Sequence, residues 1–276
     1  MSLTQISARF FLELALGLHV ALAITDRRAL GPGFTRLMTA LALASLLPAW
    51  LLGRADPGDR WIDGSTAAFG TLLAAALLAA GRLPAAVERR LVLAGAIAGT
   101  AALVASLRSG LEPFDPGTAA LLLASSAASV LVLGLVTGAM LLGHWYLVTP
   151  DLPVAHLGGL TRSALLATYA KGVLLAATVW LFLERIDPSA RAFAGVLGWS
   201  GGARGASFQS QLDFLWLAAR VLIGLVGPAA LCHMTLATVR LKATQPATGI
   251  LYAATVMVLM GELFAVVAGQ SLRVLL

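Results

Sequence analysis

The run TAALLLASSAASVLVLGLVTGAMLLGHWYL, residues 118–147, decides the fold. It is thirty residues long and contains no Asp, Glu, Lys or Arg. A helix rises about 1.5 Å per residue and a bilayer core is about 30 Å thick, so about twenty apolar residues cross it. This run is long enough to span with tilt or to project beyond the core.

Seven more apolar runs flank it, at 6–25, 34–53, 64–82, 91–108, 157–183, 211–239 and 247–272. The third and fourth spans are rich in Ala and weaker. The breaks carry turn chemistry, as in DRRALGPG, GRADPGDRWIDG, GLEPFDPG and TPDLP. Gly and Pro stop helices there, and Asp favours turns and N-caps. The expectation is an all-α, polytopic transmembrane helical bundle of about eight helices, with residues 1–276 as one integral membrane domain. The longest connection, DPSARAFAGVLGWSGGARGASFQS at 187–210, suits a surface lid, a docking loop or plain slack.

Composition agrees. Charged residues are 12% of the chain against about 25% in soluble domains, and mean hydropathy is +0.89. The net charge of +6 is not a nucleic-acid signal, because the basic residues are scattered between apolar runs. The expected partners are membrane lipids and other subunits of a membrane complex, with no nucleic acid. The N-terminal run lacks a basic leader and a clear cleavage site, so it reads as a retained helix. One set of connections carries Arg27, Arg28, Arg36, Arg82, Arg89, Arg90, Arg162, Arg240 and Lys242 on short loops. The positive-inside rule places that set in the cytoplasm of a cell inner (plasma) membrane, with both termini outside.

Ionisable residues inside spans are costly and are candidate sites by default. They are Glu13, His19, His144, Lys171, Arg220, His233 and Glu262. Counting from span ends puts His19, His144 and His233 in the cytoplasmic half. Glu13, Arg220 and Glu262 fall in the outer half, with Lys171 near the middle. Histidines on three helices in one leaflet suggest a shared site. His144 with His233 suits axial ligation of the iron of haem b, since neutral imidazole ligates iron strongly. A histidine with Tyr146 or an Arg suits a quinone headgroup. Arg240, seven residues after His233, shares its face and suits a propionate or a lipid phosphate. The plainer reading of each histidine is a hydrogen bond to a neighbouring helix.

In the outer group, Arg9 and Glu13 stand four apart and pair. Glu262 needs a cation, and Lys171 is the preferred partner, with Arg220 the other. That layer reads as a structural salt bridge or as a proton or ion relay. Pro228 is expected to bend the seventh span. The pairs Gly95/Gly99 and Gly134/Gly138 allow close helix packing.

Absent motifs narrow the function. There is no P-loop, GxSxG elbow, HExxH or CxxCH, so no hydrolase is supported. A lone Cys232 excludes an intrachain disulfide and any multi-Cys zinc or iron–sulfur site. The first expectation is a membrane subunit of an electron-transfer complex, binding haem b or quinone in the cytoplasmic half. The alternatives are a structural or assembly subunit without cofactor, and a small-solute or proton-coupled transporter. On any of these the chain is at most a quinone-reactive or non-catalytic oxidoreductase subunit.

Overall fold

The computed structural model describes residues 3–54, 60–149, 151–182 and 208–272. Every regular element among them is helical. In order these are α1 (Leu3–Ile24), α2 (Arg27–Gly53), α3 (Arg60–Ala79), α4 (Ala85–Leu111), α5 (Pro116–Trp145) and α6 (Ala155–Leu181). Then come α7 (Phe208–Val221), a π turn (Leu222–Val226), α8 (Gly227–Arg240) and α9 (Thr244–Leu272). The segment α7–π turn–α8 is continuous and forms one span, which makes eight. Seven helical stretches are long and apolar enough to cross a membrane. The apolar part of α3, Gly64–Ala79, is shorter, in line with the Ala-rich third run. Most of the 187–210 connection lies outside the described residues, and its last three residues open α7.

The start of α2 differs from expectation for a physical reason. Asp26 caps the backbone N–H groups of Arg28 and Ala29, so α2 begins at Arg27 rather than at 34. The helix then breaks at Gly31, whose φ of 78° only glycine adopts freely, and restarts at Pro32. The sixth span likewise begins slightly early, at Ala155 rather than at 157, which places His156 in its first turn.

The spans arrange as two rings of four. In the first, α1 packs on α2 and α4, and α3 bridges α2 and α4. In the second, α5 packs on α6 and α9, and α8 bridges α6 and α9. The rings join along α1 and α5. Their backbones touch, because a Cβ on Gly17 or Gly134 would run into the main chain of the other helix. The register is parallel: Arg9 on α1 reaches Ser126 on α5, the same separation in sequence as Gly17 and Gly134. Gly138 faces Ala21 on α1, Gly99 meets Leu16, and Gly95 leaves room for the His19 ring. Both small-residue pairs therefore serve close packing around α1.

The seventh span departs from the α pattern just before Pro228. Pro lacks the N–H that an α-helix would direct to the residue four positions back. The chain winds wider there, and the Gly227 N–H reaches the Leu222 carbonyl. The expected bend is thus a π turn, a feature frequent at functional sites.

At the end of the bundle shared by both termini, Asp115 caps α5. Its carboxylate accepts from the Gly117 and Thr118 backbone and from the Thr118 hydroxyl at 2.6 Å. The Thr118 hydroxyl, followed by the Thr118 and Gly117 N–H groups, holds the carboxyl below the usual Asp range.

Two tests follow. Gly134→Ala should destabilise the bundle by about 1–3 kcal/mol through overpacking. Gly249→Ala, which meets nothing within 4 Å, should stay within about 0.5 kcal/mol. Denaturant titration in detergent measures both. The lowered Asp115 value means that its cap stabilises above the ordinary Asp range and is lost as pH falls through and below it. Between about pH 5 and pH 3 the melting temperature should fall further in wild type than in Asp115→Asn, whose cap does not titrate.

Candidate functional site

The polar side chains of the terminal-end half converge on α5. Its sequence LASSAASV places Ser125, Ser126 and Ser129 within five residues. Successive helix positions turn by about 100°, so these hydroxyls face different neighbours. Ser126 faces α1, accepting from Arg9 Nη2 at 2.6 Å while donating to the Leu122 carbonyl. Ser125 faces α6 and accepts from Lys171 Nζ at 2.7 Å through its hydroxyl and at 3.1 Å through its carbonyl. Ser129 faces α9 and donates to Glu262 Oε2 at 3.1 Å.

Two ion pairs complete the cluster. Arg9 Nε donates to Glu13 Oε1 at 2.8 Å on α1, as the spacing predicts. Arg220 Nη2 donates to Glu262 Oε1 at 2.7 Å. Glu262 therefore pairs with Arg220 and not with Lys171. The reason is backbone approach. Gly224 in the π turn packs against Gly261, so that a Cβ on either would press on the other's Cα. This brings α7 beside the start of the last part of α9 and lays the Arg220 guanidinium over the two glycines. Lys171 finds its partners on α5 instead.

The cluster is buried apart from Arg9, whose side chain is partly exposed. Arg220 and Lys171 are 0% exposed, and Glu13, Glu262 and the three serines are buried. Among the described residues it contains three cations, Arg9, Lys171 and Arg220, and two carboxylates, Glu13 and Glu262. Each carboxylate is matched to an arginine. Among the described residues, Lys171 has no carboxylate partner, and Arg220 Nε and Nη1 have no acceptor. Buried charge is costly unless paired. The arrangement therefore leaves a donor surplus in a region of low dielectric.

The histidines of the other half do not share contacts. His19 is buried, with Nε2 2.8 Å from the Val92 carbonyl and its ring edge-on to Phe69. It ties α1 to α4 and α3. His144 is exposed, and its Nδ1 lies 3.2 Å from the Tyr252 hydroxyl on α9. His233 is exposed on α8, with Nε2 2.5 Å from the Tyr169 hydroxyl on α6. The two exposed histidines thus sit on different seams of the second ring. Among the described residues, no group of three or more His, Cys, Asp or Glu side chains converges. Tyr146 is buried and donates to the Pro153 carbonyl at 2.6 Å, closing the turn between α5 and α6. Arg240 is exposed at the end of α8 on the face of His233.

Sequence reasoning named all five ionisable members of the cluster and missed the serines. Three hydroxyls within five residues, in the first half of an uncharged span, were the available signal. Hydroxyls at such depth bond across helices.

Comparison with known protein families, with curated proteins and with solved structures found no match.

The buried pair makes a direct prediction. Glu262→Ala leaves the Arg220 guanidinium buried without a counter-charge and should cost about 3–5 kcal/mol. The double variant Arg220→Met with Glu262→Leu should recover most of that loss. Chemical unfolding of the three proteins reads the difference, and equal losses would mean that the pair is not coupled.

Proposed function

We propose that this protein is a proton-handling component of its membrane, with the buried cluster on α1, α5, α6, α7 and α9 as its working part. The observation that carries this reading is the mismatch, among the described residues, of three cations with two carboxylates in a largely buried site. With all five groups ionised the site holds one uncompensated positive charge, which a protein interior penalises. Losing a proton or admitting an anion relieves it. Lys171 is the member assigned to exchange the proton, since its partners are a hydroxyl and a carbonyl rather than a carboxylate. Serine hydroxyls both accept and donate, so Ser125, Ser126 and Ser129 are suited to pass protons between charged neighbours. The π turn beside Arg220 is the adjustable backbone element at the site.

This reading develops the proton-coupled transporter among the sequence expectations. The electron-transfer reading retains one supporting observation, the exposed Tyr–His pairs, and this favours quinone. The separate seams of His144 and His233 lend no support to a haem b held between them.

Proteoliposomes containing a pH-sensitive dye test the proposal. A voltage or pH gradient should drive proton entry above that of empty vesicles. Lys171→Met should abolish the excess, and Glu262→Gln should reduce it about tenfold or more. Arg108→Gln, on an exposed pair at the α4 end, should leave it unchanged. Entry unaffected by Lys171→Met in protein that elutes as a single species would assign the cluster to packing alone.

A further inference from the structure

The second ring has a lipid-facing seam between α6 and α8 that the proton relay does not use. Tyr169 on α6 is 50% exposed and bonds His233 on α8. Their neighbours on the same surface are apolar and open: Leu166 and Val173 on α6, and Met234 on α8. Leu166, Tyr169 and Val173 follow helical spacing, so the phenol interrupts an otherwise apolar stripe.

Depth makes the pair unusual. Arg162 lies seven residues before Tyr169, and Arg240 lies seven residues after His233. Both arginines are exposed on the same faces as the pair. Seven residues of helix span about 10 Å. The seam thus has two guanidinium groups at one level and a phenol–imidazole pair about 10 Å deeper. Polar groups facing hydrocarbon at that depth are costly unless they pair, and the bond between Tyr169 and His233 uses only one of the two donors they carry. A phospholipid phosphate stops with the arginines. A quinone has a small headgroup with carbonyl acceptors on a long apolar tail, and it enters the hydrocarbon itself.

We propose that the Tyr169–His233 seam docks the headgroup of an isoprenoid quinone arriving laterally through the bilayer. A headgroup carbonyl accepts from the Tyr169 hydroxyl or from an imidazole N–H of His233, and the tail lies along Leu166, Val173 and Met234. The inference deepens the quinone form of the electron-transfer reading and is independent of the proton relay.

The test is photolabelling of the full chain in nanodiscs with an azido-quinone of short isoprenoid tail, mapped by mass spectrometry. Label should fall on α6 and α8 around Tyr169 and His233, and excess decylubiquinone should remove it. Added phosphatidylglycerol should not. His233→Leu or Tyr169→Phe should weaken labelling about tenfold, the scale of one hydrogen bond. Tyr252→Phe, in the other Tyr–His pair, should leave it unchanged. These variants change lipid-facing groups, and unchanged elution by size exclusion shows that they remain folded. Label at Tyr252 and His144 instead, competition by phosphatidylglycerol, or absence of label would each overturn the proposal. Binding is read without turnover, so its failure leaves the proton measurement standing, and the reverse holds too.

Discussion

The contact of the α1 and α5 backbones at Gly17 and Gly134 organises the molecule. Between membrane helices there is no hydrophobic drive to associate, so close packing and polar bonds decide which helices meet. Glycine on both sides brings the two main chains together along one parallel register. That register carries Arg9 to Ser126 and makes the α1–α5 contact the join between the two rings. From α5 the serines reach α1, α6 and α9, and the charge cluster follows from that geometry. A side chain at the glycine contact would widen the seam and lengthen every bond across it.

Much of this was legible in the sequence. Span number follows from the length of the apolar runs, because the bilayer accepts little else. The Arg9–Glu13 pair follows from helical spacing. Depth counting separated the ionisable residues into two layers, and the structure joins one of them. The partner of Glu262 was not legible. Lys171 and Arg220 stand on different helices at similar depth, and only the approach of Gly224 to Gly261 decides between them. The histidine layer shows the limit of depth alone. His19, His144 and His233 lie in the same half, yet the faces on which they stand send them to Val92, Tyr252 and Tyr169. Depth gives one coordinate, and the direction a side chain faces depends on packing that one sequence does not state. The serines were missed for a related reason: Ser126 also bonds its own helix, so a hydroxyl in a span need not signal a partner.

The two polar regions differ in kind. The cluster is largely enclosed by protein, open only at Arg9, so its charges act strongly on one another. The Tyr–His pairs face outward, with few protein contacts to hold them. A function that moves small ions suits the first, and recognition of a lipid-soluble molecule suits the second.

The π turn links these regions through phase. Each helix position carries about 100° of rotation, and a π turn absorbs one extra residue without rotating the helix on either side of it. Wound as an ordinary helix, Leu222–Val226 would swing α7 by that angle relative to α8. Either Arg220 would leave Glu262, or His233 would leave the seam with α6. The widened turn lets one span present a charge inward at one level and an imidazole outward at another. It also makes the seventh span the place where a rewinding by a single residue would exchange an inward face for an outward one.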